Sequence, residues 1–338
     1  MRFILFFFLV LTFVYAKGQI NKAVDTSHSH QLRINFTPTV FYNTYSAGIT
    51  PVLKIKAGDT VYTESLDALG FDRDSVRRGK RGNPLTGPFF IEDALPGDVI
   101  AITIVKLSLN RKFATTLDAL IPKVLPKSIS KQTWRQAKLV KWNLDLENNL
   151  ASPEKKYEHI SFLKVPLEPF LGSVGVAPKE KKGISSGGFG SWGGNLDFSS
   201  ITESATLFLP VYHQGALLFL GDGHAVQGDG ELNGDALETS MDFAFTIRII
   251  RNEAANLKYP RVENAHYIMA FGQAKNLDDA VSEATQNLLR WLEKDYGLSL
   301  EEASQVIGPT IEYKIPKIAA SEVEVVAKIK KEFLKGLK

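Results

Sequence analysis

Within residues 221–238, GDGHAVQGDGELNGDALE, one histidine, three aspartates and two glutamates stand among five glycines. Carboxylates and imidazole are the ligand types that Zn²⁺ and Ca²⁺ take. Glycine lets the backbone turn tightly enough to bring such side chains to one point. The segment follows an apolar run at residues 215–220, so it reads as a polar loop leaving a buried strand, where a rigid scaffold carries a site. The alternative is a plain turn, in which Asp and Gly only supply backbone angles.

Three other segments share this character. Glu64 and Asp67 stand three residues apart at a strand end, Asn83 lies in the rigid loop GNPLTGP, and Asn195 and Asp197 follow Gly193-Gly194. Each also has an ordinary reading: Glu64 as a solvated edge residue, Asp67 as a turn cap, Asn195 and Asp197 as an Asx turn. His224, set between Asp222 and Asp229 among glycines, favours a ligand role. His28 and His30 fall in an N-terminal stretch, and His159, His213 and His266 stand singly without a partner pattern.

The elements that must position these residues read as mostly β. Residues 31–36, 52–55, 60–65, 89–91 and 99–107 are short apolar or alternating runs between Gly/Pro/Asn/Asp turns, and 205–211, 216–220 and 242–250 repeat the pattern. Two turns match: KAGDTV at 56–61 and LPGDVI at 95–100, each opening a strand. Residues 109–165 are irregular, with strands expected at 137–143 and 158–165, and 183–194 reads as a Gly/Ser-rich loop near the site. Helical spacing starts after Asn276, a cap with Asp279 at the third position, and ends at Gly297. Further helices are expected at 300–307 and 323–334. Short turn-separated strands favour a mainly β fold, a β-sandwich or jelly-roll-like core over about 31–272, with a smaller helical part over 276–338.

The composition is that of a globular chain: 338 residues, 44% hydrophobic, 23% charged, net charge +3. No basic stripe supports nucleic-acid binding, and no GxGxxG or P-loop supports a nucleotide cofactor. Cysteine is absent, which removes thiol nucleophiles, thiolate zinc sites and disulfides. Arg2 followed by the apolar run 3–14 reads as a signal peptide over 1–18, cut after Ala16 or before Gln19. The run is short for a permanent span. The mature chain, 19–338, is then exported, periplasmic or extracellular, with no stable membrane span.

The ordered motifs TxESLDA, NPLTGP with EDALPGD, GGNLD and LPVYxxGALLFLGDGHAVQGDGELNGDALE resemble the acetamidase/formamidase family from about residue 31 to the C-terminus. The resemblance implies a β-rich fold, hydrolysis of short linear carboxamides to carboxylate and ammonia, and a bound metal such as zinc. It carries onto Glu64 and Asp67, Asn195 and Asp197, and Asp222, His224, Gln227, Asp229, Glu231 and Glu238. The segment 70–82 departs from the pattern with Arg73, Arg77, Arg78, Lys80 and Arg81, which points to a substrate other than formamide or acetamide.

The mechanism expected is a metal-activated water. His224 and Asp197, with one or more of Glu64, Asp67 and Asp222, would hold the ion; Glu238 or Glu231 would shuttle the proton. Asn83 or Asn195 would donate to the oxyanion. Ca²⁺ as a second ion and homo-oligomerisation stay open. The competing class is a non-catalytic exported β-sandwich binding module with a structural Ca²⁺; His224, a poor calcium ligand, tilts the reading to zinc.

Overall fold

The computed structural model describes residues 31–180 and 182–337. The expected signal peptide with its cleavage points, His28 and His30 lie outside the described residues. Strands are numbered along the chain. A nine-stranded sheet runs in the order β1 (Arg33–Asn35), β4 (Thr60–Glu64), β17 (Met241–Ile250), β6 (Val99–Leu109), β15 (Thr206–Pro210), β18 (Arg261–Glu263), β19 (Tyr267–Ala274), β21 (Val323–Lys330), β20 (Glu312–Lys314). A six-stranded sheet runs β13 (Phe189–Gly190), β14 (Gly193–Asn195), β11 (Phe170–Gly175), β16 (Leu218–His224), β5 (Leu85–Ile91), β3 (Leu53–Ile55). A smaller sheet holds β10 (Val165–Pro166), β9 (Leu150–Pro153), β8 (Leu139–Asp145) and β7 (Phe113–Leu117), and β12 (Ile184–Ser185) pairs with β2 (Thr44–Tyr45).

The two large sheets form a sandwich because their inward residues share one apolar layer. Phe89, Ile91, Leu171, Leu218 and Leu220 from the six-stranded sheet join Ile102, Ile104, Leu207, Phe243 and Phe245 from the nine-stranded one. Register keeps this layer pure: β17 and β6 pair Phe243 with Leu107, Phe245 with Ile104 and Ile247 with Ile102. The period of two sends Phe243, Phe245 and Ile247 inward, and a register shift between Ala244 and Phe245 lets Leu107 and Ile104, three apart on β6, face the same layer. The matched turns flank β17 on both sides, at the starts of β4 and β6. Gly58 and Gly97 take φ of 92° and 98°, and Asp59 and Asp98 each accept from a backbone N–H three residues earlier, at 2.9 and 3.0 Å.

Helix α1 (Lys127–Arg135) lies in the region read as irregular. Helix α2 (Leu277–Tyr296) has Asn276 accepting from the Asp279 N–H, and Gly297 closes it at φ 68°. Helix α3 (Leu300–Thr310) opens on a Ser299/Glu302 capping box. Ala280, Ala284, Leu288, Trp291 and Leu292 of α2 pack on the outer face of β19 and β21. Gly272 of β19 permits this approach, since a Cβ there would sit 2.1 Å from the Ala284 nitrogen.

Three local expectations are corrected. Residues 323–334 form strand β21 and a short 3-10 turn, not a helix. Val323, Val325, Ala327 and Ile329 face α2 while Val326 enters the sandwich core, so an apolar run buried on both sides mimicked a helical stripe. Residues 158–165 are mostly turn, with strand only at β10. The 183–194 loop contributes the short strands β12, β13 and part of β14.

Candidate functional site

Strand β16 sits between β11 and β5, and its last turn of pleat carries the chemistry. Gly221–His224 was read as loop, yet it completes the strand, and the loop begins at Ala225. Asp222 and His224, two apart, therefore project to one face. Strand β14 pairs with β11 on its other edge, and the chain leaving β14 delivers Asp197 to the same point. The three side chains offer ligand atoms all within 4.8 Å of one another, each residue buried. His224 Nε2 lies 3.2 Å from Glu238 Oε1, 3.6 Å from Asp222 Oδ1 and 3.9 Å from Asp197 Oδ1. Phe170, opposite His224 in register, sets its ring edge-on at 4.8 Å.

Gly172 of β11 forms the floor. A Cβ there would stand 2.7 Å from Asp197 Oδ1, 2.7 Å from His224 Cε1 and 2.9 Å from Asp222 Oδ2. Backbone strain collects around the same point: Asn83, Asp197, Asp222 and Glu231 take φ of 54°, 44°, 62° and 50°. Left-handed non-glycine residues cost about 1–3 kcal/mol each at such sites and persist where the surroundings hold them.

A polar network aims the carboxylates. Asn83 Nδ2 donates to Asn195 Oδ1 and Asp222 Oδ2, both at 2.9 Å. Ser173 Oγ donates to Asn195 Oδ1 at 2.6 Å, and Asn195 Nδ2 donates to Asp197 Oδ2 at 2.8 Å. Both Asn83 amide hydrogens and one of Asn195 are thus engaged within this network, against Asn195, Asp222 and Asp197. Lys317, from the loop between β20 and β21, pairs with Asp197 and lies 3.5 Å from Glu231. Gln227 Nε2 donates to the Asp197 and Pro316 carbonyls at 2.9 and 3.1 Å.

Two of the expected metal ligands do not join the cluster. Glu64 accepts from Arg73 at the surface, at 2.7 Å. Asp67 is buried but fully engaged: Oδ2 takes Arg111 Nη2 at 2.6 Å, and Oδ1 takes the Leu69 and Phe71 N–H groups at 3.0 and 2.9 Å. Asp229 pairs with Lys314 in solvent. These pairings also occupy acidic residues that a second ion would need; among the described residues the Asp197, Asp222 and His224 group is the one that could hold a metal. Of the basic segment 70–82, Arg73 pairs with Glu64 and Asp242, Arg78 with Asp72, and Arg77 lies over Phe71.

The electrostatics favour a cation. Buried here are the carboxyls of Asp197, Asp222, Glu231, Glu238 and Glu324 against two cationic side chains, His224 and Lys317. Burial pushes Glu238 and Glu231 up to about 8, Asp197 upward, and Glu324 well above the carboxylate range. For Asp222 burial acts the same way but is outweighed by His224 and Lys317, which hold it low. Burial also opposes the imidazolium of His224, and there Glu238 and Asp222 outweigh it and raise it. Asp197 Oδ1, Asp222 Oδ1, Glu238 Oε2 and His224 Nδ1 have no hydrogen-bond partner although buried, a state that costs about 1–3 kcal/mol per group unless a ligand answers it. Orphaned oxygens, a ring nitrogen and a floor with no Cβ fit a divalent ion.

Residues 190–318 match the model of the Acetamidase/Formamidase family. Over that stretch, 129 of the 338 residues, the chain is similar to the acetamidase/formamidase family. Over 66 residues, 19% of this chain and 16% of the relative, it is 36% identical to a provisionally named formamidase of Schizosaccharomyces pombe. Over 41 residues, 12% of this chain and 10% of the relative, it is 49% identical to an acetamidase of Mycolicibacterium smegmatis. The sequence matches thus span under a fifth of these curated relatives. The structural likeness is broader: the crystal structure of an acetamidase from Bacillus halodurans aligns with a TM-score of 0.76 and 25% identity, covering 90% of this chain and 99% of that one. The family match takes in Asn195, Asp197, Asp222, His224, Glu231, Glu238 and Lys317.

Lys317, Ser173 and Gly172 were not found from sequence. A lone lysine between strands and a lone glycine within one carry no local signal; Lys317 becomes legible only through the register that sets the β20–β21 loop against residues 227–231.

Proposed function

We propose that this chain is a metal-dependent hydrolase of linear carboxamides, releasing ammonia and a carboxylate. The observation that carries this is the buried group of Asp197, Asp222 and His224 with unanswered ligand atoms, set beside a carboxyl whose proton affinity lies near neutrality. A divalent ion held by those three residues would act as a Lewis acid, polarising an amide carbonyl and acidifying water. Zinc suits the set better than calcium because one ligand is imidazole.

The rest is the work of this chain's own residues. Glu238 anchors Oε1 on the Ala236 N–H at 2.9 Å and keeps Oε2 free of any hydrogen-bond partner. It takes the proton of the attacking water and returns it to the departing nitrogen. A carboxyl pushed up to about 8 has the affinity such a shuttle needs. Glu231 has a similar proton affinity but faces Lys317, so its role is to balance charge. Asn83, Ser173 and Asn195 fix the carboxylates, and Lys317 neutralises Asp197. We also propose export, resting on Arg2 and the apolar run 3–14; mass spectrometry of the secreted chain's N-terminus tests it.

Ammonia release from a panel of amides, before and after chelation and with Zn²⁺ restored, tests the reading. Chelation should stop release and zinc restore it. His224→Ala should lose bound metal and activity together; full metal content in that folded variant would remove His224 from the ligand set.

A further inference from the structure

A cavity of about 640 Å³ lies between the small sheet and the loop that follows His224. Val140, Trp142, Tyr157, Ile160, Val165 and Leu232 supply apolar wall. Ile160 and Leu232, with Leu120 beside them, remain 41%, 37% and 39% exposed. Apolar side chains gathered around one hollow and left in water mark a binding site more than a folding core, and this volume falls in the range that encloses a drug-sized molecule. A two-carbon amide would fill only a small fraction of it.

The cavity shares its wall with the site. Glu231, 3.5 Å from Lys317, lines it, as does Gln227, whose amide holds the Asp197 carbonyl. Asp235, Ala236 and Leu237 line it too, and Ala236 N–H is the group that anchors Glu238. Through Ala236, Gln227 and Glu231 the hollow is one contact away from Glu238, Asp197 and Lys317, while Val140 and Trp142 of β8 line another part of it. Lys141 and Lys155 also line it, Lys141 paired with Glu154 at 3.2 Å and Lys155 over the Tyr157 ring; no cationic side chain of the basic segment 70–82 does.

We propose that this cavity takes the acyl side chain of the substrate, so that the preferred amides carry a bulky apolar or aryl-alkyl group instead of the single hydrogen or methyl of formamide and acetamide. The assignment rests on the amidase reading above for its chemistry. Hydrolysis adds water across the C–N bond: the carbonyl carbon gains oxygen, the nitrogen leaves as ammonia, and the tail in the cavity is unchanged.

The test compares kcat/KM for acetamide, butanamide, hexanamide and 3-phenylpropanamide with zinc-loaded protein, alongside binding of 3-phenylpropanoate followed by titration calorimetry. The proposal expects kcat/KM to rise roughly fourfold per buried methylene. Trp142→Ala should lower the ratio of 3-phenylpropanamide to acetamide at least fivefold. Ile160→Asp, at the exposed rim, makes the same test without touching the fold. Acetamide equal to or better than the longer amides, or a ratio unmoved in both variants, overturns the proposal and leaves the amidase reading standing. Binding of 3-phenylpropanoate that both variants weaken, with no amide hydrolysed, supports the cavity and overturns the amidase reading. The absence of both binding and hydrolysis overturns the proposal.

Discussion

Replacing Gly172 by alanine tests the centre with one methyl group. The new Cβ would stand 2.7 Å from Asp197 Oδ1 and His224 Cε1 and 2.9 Å from Asp222 Oδ2, where ordinary contact begins at 3.4 Å. At least one of the three side chains must recede by roughly half an ångström, and each is pinned: Asp197 by Asn195 and Lys317, Asp222 by Asn83 and Ser173, His224 by Phe170. Overpacking of this kind costs about 1–3 kcal/mol of stability, small enough to leave a folded protein. Metal sites tolerate distance errors of only ~0.2 Å, and displacements approaching 1 Å at a reacting centre cost on the order of 10²-fold in rate. Gly172→Ala should therefore melt a few degrees lower while losing most of its bound metal and at least tenfold in kcat/KM. Gly187→Ala is the control, because a Cβ there meets nothing within 4 Å. Metal content by mass spectrometry, a thermal melt and ammonia release give the three readouts. Full metal content and activity in Gly172→Ala would refute the placement of the metal over this floor.

Lys317→Met should destabilise by about 3–5 kcal/mol, since Asp197, Glu231 and Glu324 lose their buried cation. Glu231 is raised to about 8 even with Lys317 drawing it down, so it is protonated in both folded proteins below that point and its share of the cost sets in as pH rises through 8; denaturant melts should show a larger deficit at pH 9 than at pH 5. Arg111→Met leaves Asp67 unpaired in the interior and should also cost about 3–5 kcal/mol, with metal content per folded molecule unchanged. Asp98→Asn tests the repeated turn: burial would raise the Asp98 carboxyl, but the Leu95 and Asn252 N–H groups and Arg251 hold it below 3.8. Its stabilisation is present above pH 3.8 and lost as pH falls through its folded value. The variant should lose about 1–3 kcal/mol at pH 7 and show a flatter acid limb below pH 4 in urea melts.

The legible parts of this fold are those where local chemistry and global role agree. The Asp59 and Asp98 turns, the caps Asn276 and Gly297, and the inward alternation of β17 all follow from neighbours in the chain. Illegible were elements whose role is set by distant partners. Residues 323–330 carry an apolar period that suits a helix, and only burial between α2 and the sandwich core makes them a strand. At the site, motif chemistry led to Asp197, Asp222, His224 and Glu238 but could not tell a ligand from a strut. Asp67 and Asp222 are both buried aspartates near glycines. Arg111, 44 residues away from Asp67, makes one an ion pair, whereas Asp222 Oδ1 is left unanswered.

The C-terminal part is therefore no appendage. Its loop between β20 and β21 is laced to the acidic loop, Gly230 N–H donating to the Ile315 carbonyl at 2.6 Å and Ile318 N–H to the Gly230 carbonyl at 3.1 Å. That lacing carries Lys317 to Asp197 and Glu231. Helix α2 packs on β19 and β21, and β20, the other strand framing the loop, pairs with β21. Without this buttress, Asp197 would keep only His224, at 3.9 Å, as a cationic neighbour when metal is absent, and the cluster would have to protonate or open to water. The centre is assembled from distant stretches of the chain, Asn83, residues 172–238 and Lys317, because excess buried negative charge must be held in place before an ion arrives.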